Sequence, residues 1–183
     1  MGFFDFLKKK APEKEQEKKA ELLRWQTFVM TDCTNELILT EQELKILTIQ
    51  QAENDLRIMK DSAEIVEKTI KPDVLFSRLN LMVEKANHLC ELEKYFALAG
   101  VSIKEMSPSE MRDDIMQKYQ EAIKDFLIRY FSDTFDKAEA MKTEKGKAGK
   151  YQKFYDSLQE YYCYMNNQNI DYIETKYRAY SKT

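Results

Sequence analysis

Residues 39–70 read LTEQELKILTIQQAENDLRIMKDSAEIVEKTI, and this stretch decides the fold class. Thr40 and Glu43 stand at the positions of a capping box, in which a hydroxyl and a carboxylate satisfy amides that a helix start leaves without partners. Leu39 and Leu44 flank it as a hydrophobic staple. Beyond it, Ile46, Ile49, Leu56, Met59, Ala63, Val66 and Ile70 recur at three- and four-residue steps, with Ala52 or Glu53 between them. That spacing predicts one apolar helical stripe over about four heptads. Glu53 with Arg57, Glu64 with Lys68 and Glu67 with Lys71 are expected as pairs on the outer face.

Pro72 stops this helix, because it lacks an amide hydrogen, and Asp73 is placed to cap the next one. Leu75, Leu79, Met82, Ala86, Leu89 and Phe96 predict its buried stripe, and Gly100 suits a left-handed C′ position with Val101 against Phe96. Ser107-Pro108-Ser109-Glu110 is a second capping box with proline at the first helical position, flanked by Met106 and Met111 at staple positions. Met111, Ile115, Tyr119, Ala122, Phe126 and Tyr130 continue that helix to about residue 142. Residues 142–150, KTEKGKAGK, read as a solvated loop. A helix with Tyr151, Phe154, Tyr155, Leu158, Tyr161 and Tyr162 follows, then an Asn-rich break at 166–169 and a short helix with Ile170, Ile173 and Tyr177.

Upstream of Thr40, a packed helix is expected over about residues 21–34, carrying Leu22, Leu23, Trp25, Val29, Met30 and Cys33. Residues 8–20 hold no large apolar side chain and read as a solvated linker or an exposed helical turn or two. The expectation is an all-α fold: an elongated antiparallel helical bundle of about five or six helices with short loops. Residues 1–20 form a Phe-rich amphipathic start and charged linker, and residues 21–183 a single bundle domain.

Composition agrees with this reading. The 183 residues include only 4 Gly and 3 Pro, too few for loop-built sites, and 12% aromatics supply a core. With 29 basic and 32 acidic residues the formal net charge is −3, which argues against a broad nucleic-acid surface. Three widely spaced cysteines, Cys33, Cys90 and Cys163, read as free thiols in a reducing compartment. No apolar run approaches the ~18 residues of a membrane span, and the amino terminus has neither a signal-peptide nor a myristoylation pattern. A cytoplasmic location is expected.

No catalytic motif emerges. His88 is the only histidine; Glu84 and Glu91 share its face, but a bundle metal site collects two Glu-x-x-His pairs, so an ordinary boundary histidine is the better reading. No nucleophile signature accompanies it. The GKAGK stretch at 146–150 lacks the spacing, the Ser or Thr and the preceding strand of a P-loop. No cofactor and no enzymatic activity are expected.

Two surfaces are candidates for contact. Phe3, Phe4, Phe6 and Leu7, followed by Lys8, Lys9 and Lys10, form a docking element for a membrane interface, a partner groove or self-association. Lys145, Lys147, Lys150, Tyr151, Tyr155 and Tyr162 form an interaction patch, since eight of the eleven tyrosines lie at or after residue 151. The expected function is a non-enzymatic interaction or scaffold module with a protein partner or a second copy. A peripheral membrane-surface protein, or a weak nucleic-acid binder using residues 142–155, are the alternatives.

Overall fold

The computed structural model describes residues 3–30, 36–101 and 106–180, and in the first helix the side chains from Lys14 onward. Among these residues there are helices and no strand. The helices are α1 (Phe3–Val29), α2 (Glu41–Lys68), α3 (Pro72–Leu92), α4 (Phe96–Ala99), α5 (Pro108–Glu139), α6 (Glu144–Gln159) and α7 (Asn167–Tyr180). A 3-10 turn, Glu93–Tyr95, joins α3 to α4, so the long helix expected to reach Gly100 is broken near its end. Gly100 follows with φ 72, the left-handed stop that a residue without Cβ accepts. No described helix is long and apolar enough to cross a membrane.

Both capping boxes form. The Thr40 side chain accepts from the Glu43 amide while Glu43 accepts from the Thr40 amide at 2.8 Å. Ser107 and Glu110 repeat the arrangement at the start of α5. The staples differ. Leu39 packs onto the cluster that contains Leu44, whereas Met106 is exposed. Asp73 lies in the first turn of α3 instead of capping it; Lys71 holds the cap position without a side-chain bond, and Pro72 is the first helical residue. Arg57 pairs with Asp61 at 3.4 Å, not with Glu53.

The buried face of α2 is rotated from the expected stripe. Leu44, Thr48, Ala52, Asp55, Met59, Ser62 and Val66 are buried, while Ile46 and Ile70 are exposed. Thr48, Asp55 and Ser62 recur every seven residues, so a polar line runs inside the bundle. It is tolerable where its members are paired. Trp25 Nε1 donates to Thr48 Oγ1 at 2.9 Å, and the Thr48 hydroxyl donates to the Leu44 carbonyl at 2.8 Å.

α2, α3 and α5 form an up-down-up frame: α3 runs antiparallel to both neighbours, with Asn80 meeting Tyr119, and α2 and α5 lie parallel, with Arg129 reaching the Val66 carbonyl. The α1–α2 pair is also parallel, since Lys18 meets Glu41, Trp25 meets Thr48 and Gln51 meets Val29. Two parallel neighbours require the chain between them to travel back along the helix. Gln26 makes that return stable: it is buried, its Nε2 donates to the Glu36 carbonyl at 2.8 Å, and its Oε1 accepts from the Ile38 and Leu39 amides at 2.8 and 2.9 Å. The charged stretch 8–20 belongs to α1, and residues 14–20 are all exposed.

Two apolar clusters result. One gathers Trp25, Leu44, Met59, Leu89 and Phe96 from α1 to α4. The other gathers Phe76, Phe126, Leu127, Leu158 and Ile173 where α6 and α7 pack on the carboxyl-terminal half of α5.

Thr40→Ala and Ser107→Ala are each expected to lower stability in urea by ~1 kcal/mol, with Lys60→Ala as an exposed control that changes little. Glu43 and Glu110 are held below the ordinary carboxylate value of 4.5, chiefly by the amides they accept from. Their contribution is therefore complete above 4.5 and lost as pH falls through the lower folded-state value. Glu43→Gln and Glu110→Gln should be less stable than the wild type near neutrality and indistinguishable from it in acid.

Candidate functional site

The expected docking element, Phe3, Phe4, Phe6, Leu7, Lys8, Lys9 and Lys10, begins α1; its side chains lie outside the described residues, as does Cys33. Cys90 and Cys163 are free, and burial pushes the Cys90 thiol up.

Part of the expected patch around residues 145–162 shares one surface: Lys145, Lys147 and Tyr151 line a pocket of about 300 Å³ with Glu139, Glu144 and Tyr180, while Tyr155 and Tyr162 turn to Glu174. The loop read at 142–150 is mostly helix: Thr143 caps α6, its hydroxyl accepting from the Gly146 amide at 3.1 Å. Lys147 turns back to Glu139 at 3.2 Å and Glu144 at 3.5 Å, and Lys150 lies over the Phe154 ring. Tyr151 is buried and stacked on Tyr180. Tyr155 stacks on Tyr177. Glu174 accepts from the Tyr155 hydroxyl at 2.7 Å and the Tyr162 hydroxyl at 3.1 Å. Burial foremost, then these neighbours, push the Tyr162 phenol far above its ordinary range. Of the six residues, Lys145 alone is exposed, the others being buried or half-buried. The rings that would stack on bases are engaged between α6 and α7: Tyr151 and Tyr155, at i, i+4, meet Tyr180 and Tyr177, at i, i+3, across the seam.

His88 is half-buried and hydrogen-bonds through Nδ1 to Asp55 Oδ2. Asp55 is 3% exposed, and Lys85 Nζ stands 3.9 Å from its other oxygen. Phe28 of α1 stacks on the His88 ring at 5.6 Å. The histidine thus joins α1, α2 and α3. Glu84, expected on the His88 face, pairs with Lys85 at 2.9 Å, and among the described residues no group of three or more His, Cys, Asp or Glu is placed to hold a metal ion.

A shallow groove of about 550 Å³ is lined by Asp61, Glu64, Ile65, Lys68 and Lys71; a second, more enclosed one combines an apolar lining with acidic edges. This second groove, of about 420 Å³, opens where α2 and α5 both flank α3. Ala63 and Val66 of α2, Leu79 and Met82 of α3, and Ile115 and Ala122 of α5 give it an apolar lining. Its edges carry Glu67 on one side and Asp114, Glu121 and Asp125 on the other. Lys118 is the one cation of the lining, and it pairs with Asp114 at 2.8 Å. Tyr119 is tied to Asn80 at 3.0 Å. The sequence signal was faint: Asp114, Glu121 and Asp125 recur at steps that keep them on one flank of α5, but nothing local says that α2 lies opposite.

Removing the Tyr151 ring should cost about 3 kcal/mol as Tyr151→Ala. Asp55→Ala, which leaves Lys85 and His88 facing an empty space, should cost a similar ~3 kcal/mol. Lys145→Ala should leave the urea transition unmoved, and the three together separate structural side chains from a free surface.

No protein-family model, no curated protein and no solved structure matches this chain.

Proposed function

We propose that this chain is a non-enzymatic interaction module that receives a basic amphipathic helix in the groove between α2 and α5. The observation that supports this reading is the combination of an apolar floor with four carboxylates and one already paired lysine. An apolar groove favours side chains spaced at three, four and seven residues along a helix. The acidic edges favour cations beside those anchors and disfavour acidic partners by like-charge repulsion. The groove residues of α5, Asp114 to Asp125, extend over about 17 Å, the length of three helical turns.

The reading moves the contact surface away from the Lys- and Tyr-bearing residues of α6, whose rings are occupied by α7. It also weakens the nucleic-acid alternative, which needs free aromatic faces beside unpaired cations.

A synthetic helical peptide with Leu at i, i+3, i+4 and i+7 and Lys elsewhere serves as probe. Calorimetry should show saturable binding that weakens with salt, since exposed charges are screened over ~8 Å at physiological ionic strength. Glu121→Lys with Asp125→Lys should weaken it by about tenfold or more, and a peptide with Glu replacing Lys should not bind. Equal binding to wild type and the reversed-charge variant would overturn the groove assignment.

A further inference from the structure

The chain contains a segment with the chemistry that the groove selects, and the fold keeps the two apart within one molecule. Residues 3–10 read FFDFLKKK. By sequence spacing Phe3 and Leu7 are at i, i+4, with Phe4, Asp5 and Phe6 between them, and three consecutive lysines follow. Apolar anchors followed by cations are the complement of an apolar floor edged by Glu67, Asp114, Glu121 and Asp125.

Geometry decides which molecule can bring them together. α1 runs unbroken from Phe3 to Val29, and the Trp25–Thr48 bond sets it parallel to α2. At 1.5 Å per residue, Phe3 lies about 33 Å before the level of Trp25, while Ala63 to Glu67 lie about 22–28 Å beyond Thr48 in the other direction. The segment and the groove of the same chain are thus about 55–61 Å apart along nearly the same axis. The intervening α1 cannot fold back without losing its helix. A second molecule has no such restriction.

We infer that residues Phe3–Lys10 of one copy dock in the α2–α5 groove of a second copy. This rests on the groove reading above and names its occupant. The apolar side chains would cover Ala63, Met82, Ile115 and Ala122, the half-buried apolar residues of the lining, and Lys8, Lys9 and Lys10 would face the acidic edges. Because segment and groove are different surfaces, the contact is heterologous: each copy added keeps one free segment and one free groove. Such a contact extends into an open chain unless its rotation closes a ring.

Sedimentation of the full chain over a range of concentrations should show association beyond a dimer, weaker at high salt. Phe4→Asp/Leu7→Asp disables the segment, and Glu121→Lys/Asp125→Lys disables the groove; Glu67→Lys, on the opposite edge, serves if the latter is poorly folded. Each variant alone should be monomeric, with association at least about tenfold weaker than wild type and an unchanged thermal transition. Mixed together, they should form a heterodimer that grows no further, since one intact segment meets one intact groove. A mixture that remains monomeric, or single variants that assemble like the wild type, would overturn the inference. A wild type that stays monomeric but binds phosphatidylserine-containing vesicles through Phe4 and Leu7 would also overturn it, making the segment a lipid anchor. Where self-association fails while the Leu/Lys probe peptide still binds the groove, only the choice of occupant falls. If neither occurs, the groove reading falls with it.

Discussion

The carboxylate of Asp55 constrains the rest of the bundle. Buried and unpaired, it would cost several kcal/mol, so α3 must present His88 and Lys85 to it. That requirement sets both the rotation and the height of α3 against α2, where apolar contacts alone would tolerate a slip. One heptad earlier, Thr48 imposes the same condition on α1 through the Trp25 indole. Phe28 then links the two conditions, since it stacks on the imidazole that serves Asp55. One heptad later, the buried Ser62 hydroxyl has no hydrogen-bond partner among the described residues, and the polar line gives way to the second apolar cluster. Buried polar groups of this kind exchange some stability for a single arrangement, because only one register satisfies them.

The shape of the molecule follows from the unequal demands on α5. Its amino-terminal half rests on α3 with Met111 and Ile115 only partly covered. Its carboxyl-terminal half buries Phe126, Leu127, Tyr130 and Phe131 beneath α6 and α7. α2 meets this helix most directly near its own end, where Arg129 donates to the Val66 carbonyl at 2.9 Å. That carbonyl is one of the last in α2, without an intrahelical partner, and a cation there also suits the negative end of the helix dipole. Between the Arg129 contact and the first cluster the two outer helices of the frame stand apart, and the α2–α5 groove is the space left over α3.

The tyrosines of the last two helices show how the same residues change meaning with placement. Tyr brings a large ring and a polar tip, which suits an interface. Here the interface is internal: rings stack in pairs across α6 and α7, and Glu174 collects two of their hydroxyls. α7 is anchored at its other end by Asn169, whose side chain donates to Gln120 of α5 at 3.0 and 3.1 Å. A helix of this length needs such anchoring, because short isolated helices are marginal in water.

The starts of α2 and α5, the stop at Gly100 and the fold class were determined by local chemistry and were legible for that reason. The Thr40 and Ser107 caps, Pro72 and Gly100 act through bonds or clashes within a few residues, and those interactions are the same in any surrounding. The 142–150 stretch resembles a loop through its two glycines and four lysines, whereas the Thr143 cap and packing of the Tyr151 ring carry it as helix. What only the tertiary structure decided lies between elements distant in sequence. The rotation of α2 depends on Asp55 finding His88; the parallel placing of α1 depends on Gln26 holding residues 36–39; the groove depends on two helices that never meet in sequence standing either side of a third. Periodicity reports that a helix has an apolar face, but the orientation of that face is set by the partners that satisfy it, and those partners come from elsewhere in the chain.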